Sequence, residues 1–142
     1  MSLEANWIWF ILALLSALFA ALVTIFGKIG LKTVDSTVAA GVRAVIMAIT
    51  MIAIIFLLGK SSQITSITSR DMLFIIISGI CGALSWVFYF AALKLSDASK
   101  VATIDRTSIL FIIVLSYFVL GEEISLKTVV AGILVFLGTL IL

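Results

Sequence analysis

The chain has 142 residues, 64% of them hydrophobic and 11% charged, and its mean hydropathy is +1.41. This composition excludes a soluble globular domain, which needs a largely polar surface. The net charge of +2 is too small to indicate a nucleic-acid surface. The chain also has no histidine, the commonest metal ligand and general base, so neither an enzyme nor a bound metal or cofactor is expected.

Five long apolar runs follow one another along the chain, separated by short polar stretches. A helix needs about 20 residues to cross a bilayer. The runs predict membrane spans at about residues 6–26, 37–58, 72–93, 101–120 and 128–142. The expected fold is an all-α integral membrane domain of five transmembrane helices over residues 1–142, embedded in the lipid bilayer of the cell membrane.

The first and last spans are the least typical of the five. The run WIWFILALLSALFAALVTIF is longer than the apolar part of a signal peptide, and Glu4 rather than a basic residue precedes it. We therefore expect this span to be retained. The fifth span would be about 22 Å long, against a hydrocarbon core of about 30 Å. Lys127 can extend its reach by placing its ammonium group among the lipid headgroups.

Polar residues recur at helical spacing on the first two spans. Such residues are costly in lipid and usually face protein or a wet cavity. Ser16 and Thr24 share one face of the first span, and Arg43 and Met47 share one face of the second. Arg43 lies about six residues into its span. It either faces a substrate or a carboxylate partner, or extends to the headgroups.

The third span carries small residues and two aromatic residues on one face. Gly79 and Gly82 are typical of close helix packing. Trp86 lies within the span, with Tyr89 three residues later on the same face. These two side chains either fill space between helices or line a pocket.

The fourth span begins with the polar cluster Asp105-Arg106-Thr107-Ser108. Neighbours on a helix point about 100° apart, so Asp105 and Arg106 are not expected to pair with each other. Asp105 shares a face with Ser108 and is too short to reach far toward the headgroups, which makes it the stronger candidate for a site. Its first candidate partner is Arg43, whereas Arg106 reaches the membrane surface or a neighbouring helix. The full set of candidate substrate-binding residues is Asp105, Arg43, Trp86, Tyr89, Ser16, Ser108 and Arg106.

The basic residues between the spans are almost evenly divided. Lys60, Arg70 and Lys127 lie on the side of the N-terminus. The opposite side has four lysines, Lys28, Lys32, Lys94 and Lys100. The positive-inside rule needs an asymmetry to orient a membrane protein. A near-tie favours insertion in both orientations, although short loops can give a near-tie in a chain with one orientation.

Two runs in the second half, FYFAALKLSDASKVATID and SYFVLGEEISLKTVVAGILVFLGTLIL, resemble the EamA family of the drug/metabolite transporter superfamily. Lys28 and Arg43 also stand where that family commonly has basic residues, whereas Ser108 stands near a position where many members have proline. The matching pieces are Ala92-Leu93-Lys94, Ala98-Ser99 with Val101-Ala102, Leu120-Gly121-Glu122, and the spacing of Gly132 and Gly138. The resemblance implies a single five-helix EamA-type unit, while most members fuse two such units in opposite orientations.

The resemblance also implies a function. We expect a secondary transporter, and specifically an exporter, of small metabolites or drugs, acting as an antiparallel, dual-topology homodimer by alternating access. In such an exporter a desolvated Asp105 could carry a proton. Two alternatives stay open: a half-transporter that requires a different EamA-type partner, and a membrane assembly or regulatory subunit that transports nothing.

Overall fold

A computed structural model describes residues 5–142, with side chains from Trp7 onward, and in this part of the chain all regular structure is helical. The α-helices are α1 (Ala5–Gly30), α2 (Ser36–Leu57), α3 (Ser69–Leu95), α4 (Ala98–Asp105), α5 (Ser108–Leu115) and α6 (Leu126–Thr139). A 3₁₀ helix, Ser61–Ser66, lies between α2 and α3, and a π-helical segment, Ser116–Leu120, follows α5.

The predicted membrane architecture is confirmed. Four helical stretches are long and apolar enough to cross a bilayer, namely Trp7–Gly30, Ser36–Leu57, Ser69–Leu95 and Ala98–Leu120. Helix α6 is apolar but has 14 residues, about 21 Å of helix, so it is the shorter fifth element that the sequence predicts. The expectation that residues 1–142 form one domain stays a prediction.

Local polar residues fix where the helices begin and end. The Asp35 carboxylate caps α2, accepting hydrogen bonds from the amides of Thr37 at 2.8 Å and Val38 at 3.1 Å. Ser125 caps α6 in the same way by accepting from the Thr128 amide. Gly59 and Gly121 follow α2 and the π-helical segment with φ of 65° and 66°, a left-handed conformation that glycine adopts without strain.

The described residues divide into two compact units at Leu95, and the first contains α1, α2 and α3. Helix α3 packs against both α1 and α2. The buried side chains of this unit lie near the end where α1 stops, α2 starts and α3 stops; they are Thr24, Leu31, Ala40, Phe90 and Leu93. The packing of the first unit is therefore tightest around the connection between α1 and α2.

The second unit, Ser96–Leu142, is built on the contacts of α6 with α4 and α5. Gly132 of α6 is buried, and a Cβ atom added there would lie 2.6 Å from Cδ1 of Ile113 and 3.3 Å from Cδ2 of Leu110. A larger side chain at this position would require the Ile113 and Leu110 side chains to move. The glycine therefore allows α5 and α6 to approach closely.

The fourth span is present as expected, but it is not one uniform α-helix. Between α4 and α5 the amides of Arg106 and Thr107 donate to the carbonyls of Thr103 and Ile104, three residues earlier. The amides of Ile109 and Leu110 repeat this spacing. This is the tighter 3₁₀ geometry, and it coincides with the polar cluster. Aspartate, serine and threonine are weak helix formers because their side chains compete for backbone hydrogen bonds.

Candidate functional site

The centre of the candidate site is a cation–π contact between α2 and α3. The guanidinium carbon of Arg43 lies 3.5 Å from the centroid of the Trp86 ring. Arg43 is half-buried and lies seven residues after Ser36, about 10 Å along α2. Its cation therefore stacks on an aromatic face of α3, within the residues of the span.

A hydrogen bond joins α1 to α3 beside this stack. The Thr24 and Tyr89 hydroxyl oxygens are 2.6 Å apart. Thr24 donates its own proton to the Ala20 carbonyl at 3.0 Å, which leaves the Tyr89 hydroxyl as donor in the contact between the two side chains. Thr24 is 7% exposed, so this polar pair is shielded by the surrounding helices.

Three aromatic side chains of α3 form a cluster around these contacts. The Trp86 ring centroid lies 5.7 Å from that of Tyr89, in an edge-to-face arrangement, and 5.5 Å from that of Phe90. Phe90 is buried and lies against Gly27 of α1, where an added Cβ would be 3.3 Å from Cζ of the ring. This packing limits the rotamers of Trp86 and thereby positions the face on which Arg43 stacks.

Two lysines hold the same end of the first unit together. Lys28 of α1 donates from Nζ to the Leu93 carbonyl of α3 at 2.6 Å. Lys94 of α3 donates from Nζ to the Val34 carbonyl in the connection between α1 and α2, also at 2.6 Å. Carbonyls in the last turn of a helix lack helical partners, and a cation there also complements the helix dipole.

Two grooves border Arg43. The groove between α2 and α3 has a volume of about 680 Å³, and it is lined mainly by small and apolar residues; they include Ala40, Gly41, Ala44, Gly79, Gly82 and Trp86. The second groove, of about 760 Å³, lies among α1, α2 and α3 and includes Phe19, Phe26, Val42, Met47 and Phe90. Both volumes are within the range of sites for small organic molecules.

The structure brings together three of the seven predicted site residues. Arg43 stacks on Trp86, and Trp86 contacts Tyr89. Ser16 is exposed on α1 and lines neither of these two grooves. Its role stays a prediction.

The other three predicted residues belong to the second unit. Asp105, Arg106 and Ser108 are exposed around the 3₁₀ turn between α4 and α5. The expected partnership of Asp105 with Arg43 would join the two units and stays a prediction, as do the roles of these three residues.

Sequence reasoning did not single out Phe90, Lys28 or Lys94 as residues of the site. The spacing from Trp86 to Phe90 is one helical turn, which is the signal that could have extended the aromatic face. In the sequence, the two lysines are recognisable only as charges beside the membrane and as matches to a family. Their carbonyl partners depend on the tertiary arrangement, which no local pattern specifies. In the described part of the chain, no three His, Cys, Asp or Glu side chains are grouped as a metal site would require.

Comparison with known proteins assigns the family. Residues 7–142 match the model of the EamA-like transporter family. The chain belongs to this family. It is also 36% identical over 134 residues to a protein from a Sinorhizobium species described as an uncharacterized transporter in the cobO 3′ region, covering 94% of this chain and 95% of that protein. No solved structure gives a significant match. The family predicted from sequence is thereby confirmed, and the family description and that of the relative support a transporter role.

Proposed function

We propose that this EamA-family chain is a secondary transporter that exports small metabolites or drugs across the cell membrane, working as an antiparallel homodimer by alternating access. The observation that carries the proposal is the stack of Arg43 on Trp86 within the span, beside two grooves large enough for a small organic molecule. Charged side chains within membrane spans are rare and usually mark a substrate or ion pathway.

The low burial of the helices supports assembly with a second copy. Within the described chain, 6% of the most apolar stretch of each of the first three candidate spans is buried, and none of the fourth. Lipid can cover apolar side chains, but a substrate pathway must be shielded from lipid and enclosed by protein. A second five-helix unit in the opposite orientation would provide that enclosure, as inverted repeats do in many transporters.

The length of the Sinorhizobium relative supports the same arrangement. The alignment covers 95% of that protein, which leaves no room in it for a second fused unit. The near-tie of basic residues, three against four, favours insertion of this chain in both orientations. Two copies of one gene product can then form the antiparallel pair.

Labelling of a single cysteine tests the topology. Cys81, which is exposed, is replaced by serine, and Ser62 in the connection between α2 and α3 is replaced by cysteine. In whole cells, a membrane-impermeant maleimide should label this introduced thiol in about half of the protein molecules before lysis and in the rest afterwards. Labelling of the whole population from one side would contradict dual topology and would favour a partner of a different sequence.

Transport by the purified chain in liposomes tests the activity. We expect uptake driven by an imposed ion or substrate gradient in proteoliposomes that contain this chain alone. Export in inverted vesicles and not in right-side-out vesicles would support the proposed direction. Activity only after a second EamA-type protein is added would favour the half-transporter, and no activity with either would favour the assembly subunit.

Replacement of Asp105 by asparagine tests the coupling. Asparagine has a similar shape and cannot release a proton at neutral pH. If Asp105 carries the coupling proton, the variant should lose proton-driven transport but keep exchange of substrate for substrate. Proton-driven transport at the wild-type rate in Asp105→Asn would refute this role.

A further inference from the structure

The interior of the first unit contains one ionised side chain among the residues described. The other charged residues on its helices lie in the first or last turn: Lys28 in α1, and Arg70, Asp71 and Lys94 in α3. Arg43 is the exception, about 10 Å from the start of α2. The first unit therefore has a cation within the membrane and, in its described part, supplies no carboxylate of its own to pair with it.

Stacking on Trp86 satisfies only part of what this guanidinium requires. The contact uses the flat face of the group, whereas its five N–H donors point outward in its plane. Among residues 7–95 no acceptor is found within hydrogen-bonding distance of these donors. Hydrocarbon supplies no acceptor either, so the edge of the guanidinium is available to an anion.

The charge count specifies which kind of anion fits. One carboxylate would neutralise Arg43 and accept two parallel N–H bonds from its fork. A phosphate dianion would leave a negative charge uncompensated in a medium of low dielectric constant, where an unpaired charge is strongly disfavoured. The arrangement thus favours a monoanion with a planar pair of oxygens.

The groove between α2 and α3 specifies the rest of the ligand. Near Arg43 this groove is lined by alanine, glycine and methionine residues, among them Ala44, Met47 and Gly82. The Trp86 ring also lines it and contacts the Arg43 guanidinium. We propose that this groove binds an amphiphilic monocarboxylate, with the carboxylate on Arg43 and the apolar body along α3. The inference rests on the proposed transport function and names the substrate class of the same site.

Fluorescence of Trp86 tests the proposal directly. Trp7 and Trp9 are exposed at the other end of the unit, so replacing both by phenylalanine leaves Trp86 as the single reporter. The full chain is placed in phosphatidylcholine nanodiscs and titrated with 3-phenylpropionate and, separately, with its uncharged amide. We expect a saturable change in Trp86 emission with the carboxylate and at least tenfold weaker binding of the amide.

Variants of Arg43 test the contact. Arg43→Gln should abolish the response to the carboxylate. Arg43→Lys keeps the charge without the fork and should bind about tenfold more weakly, which also controls for loss of fold. Arg70→Gln makes the same charge change in the first turn of α3 and should bind like the parent.

Three results would overturn the proposal. They are equal binding of the amide, carboxylate binding that survives in Arg43→Gln, and a change of Trp86 emission in phosphatidylglycerol nanodiscs with no response to carboxylate in either lipid. The last would assign the site to a monoanionic lipid headgroup. If the chain fails these binding tests but transports another class of substrate, the monocarboxylate site is wrong and the proposed transport function is retained. Failure of the substrate-class proposal is therefore distinguishable from failure of the proposed function.

Discussion

The hydroxyl pair Thr24–Tyr89 gives a prediction whose sign depends on the observed geometry. Thr24→Val keeps the branched shape but removes the acceptor of the Tyr89 proton. Tyr89→Phe removes the other partner, yet Thr24 keeps its bond to the Ala20 carbonyl. The first change leaves a polar group without a partner in a shielded place, whereas the second does not.

The magnitudes follow from this asymmetry. Leaving a buried hydroxyl unpaired costs about 1–3 kcal/mol, and hydrogen bonds between membrane helices average about 0.6 kcal/mol. Because Tyr89 is only half-buried, we expect Thr24→Val to lower the free energy of unfolding by about 1 kcal/mol, and Tyr89→Phe by about 0.5 kcal/mol. Replacing both partners by apolar groups is nearly neutral. The double variant should therefore be more stable than Thr24→Val alone.

Equilibrium unfolding in mixed detergent micelles, followed by far-ultraviolet circular dichroism, measures all four proteins of this cycle. Tyr117→Phe is the matched control, because Tyr117 is exposed and lies in the second unit; it should change stability by less than about 0.3 kcal/mol. The reasoning is refuted if Tyr89→Phe is the more damaging single change. It is also refuted if the losses in the double variant simply add.

Three further predictions concern the helix ends and the α5–α6 contact. Lys28→Met should lower the free energy of unfolding by about 1–2 kcal/mol because it removes a charged donor from a carbonyl of α3. Lys32 is exposed, so Lys32→Met should lower it by less than about 0.5 kcal/mol in the same unfolding assay. Gly132→Leu should lower the free energy of unfolding by about 1–3 kcal/mol through overpacking. Gly138 has open space around it, so Gly138→Leu should be near neutral. Equal losses of stability in the thermal melts of the two variants would contradict the close contact at Gly132. Amide hydrogen bonds from Val38 and Thr37 lower the pKa of Asp35 below its usual value of 3.8. Because the pKa of Asp35 is lower in the folded state, its stabilisation is present above about pH 4 and is lost as the pH falls through the folded pKa. Asp35→Asn keeps the helix cap but cannot titrate. This variant should therefore show a weaker loss of thermal stability between about pH 6 and 3. An unchanged acid sensitivity in that variant would count against the carboxylate as its source.

The span pattern was predictable from sequence because hydropathy is a local property. Runs such as that from Val45 to Leu58 have to be helical in lipid, since only a helix or a closed barrel pairs the whole backbone. The helical faces were predictable for the same reason, and Thr24, Arg43, Trp86 and Tyr89 were all placed on polar faces. The period of a helix fixes which side chains share a face, but not which faces meet.

The partners of those side chains were not predictable. The stack of Arg43 on the Trp86 ring is specified by no local pattern, and the expected partnership of Arg43 with Asp105 stays a prediction. Which helix faces meet depends on tertiary packing, such as that of the Phe90 ring of α3 against Gly27 of α1. The 3₁₀ turn beside Asp105 was not predicted either. Proline is a strong sequence signal for a break in a helix, and the chain contains none.

The distribution of these contacts bears on how the first unit would move during transport. Three side-chain hydrogen bonds, from Lys28, Lys94 and Tyr89, tie the helices at the end where the α1–α2 connection lies. The buried side chains of the unit lie at the same end. An opening of the grooves toward this side has to break these bonds and expose that core, whereas an opening toward the opposite side leaves both intact. Alternating access therefore predicts that the conformer closed at this end is the more stable one, and that substitutions such as Lys28→Met shift the population toward the other.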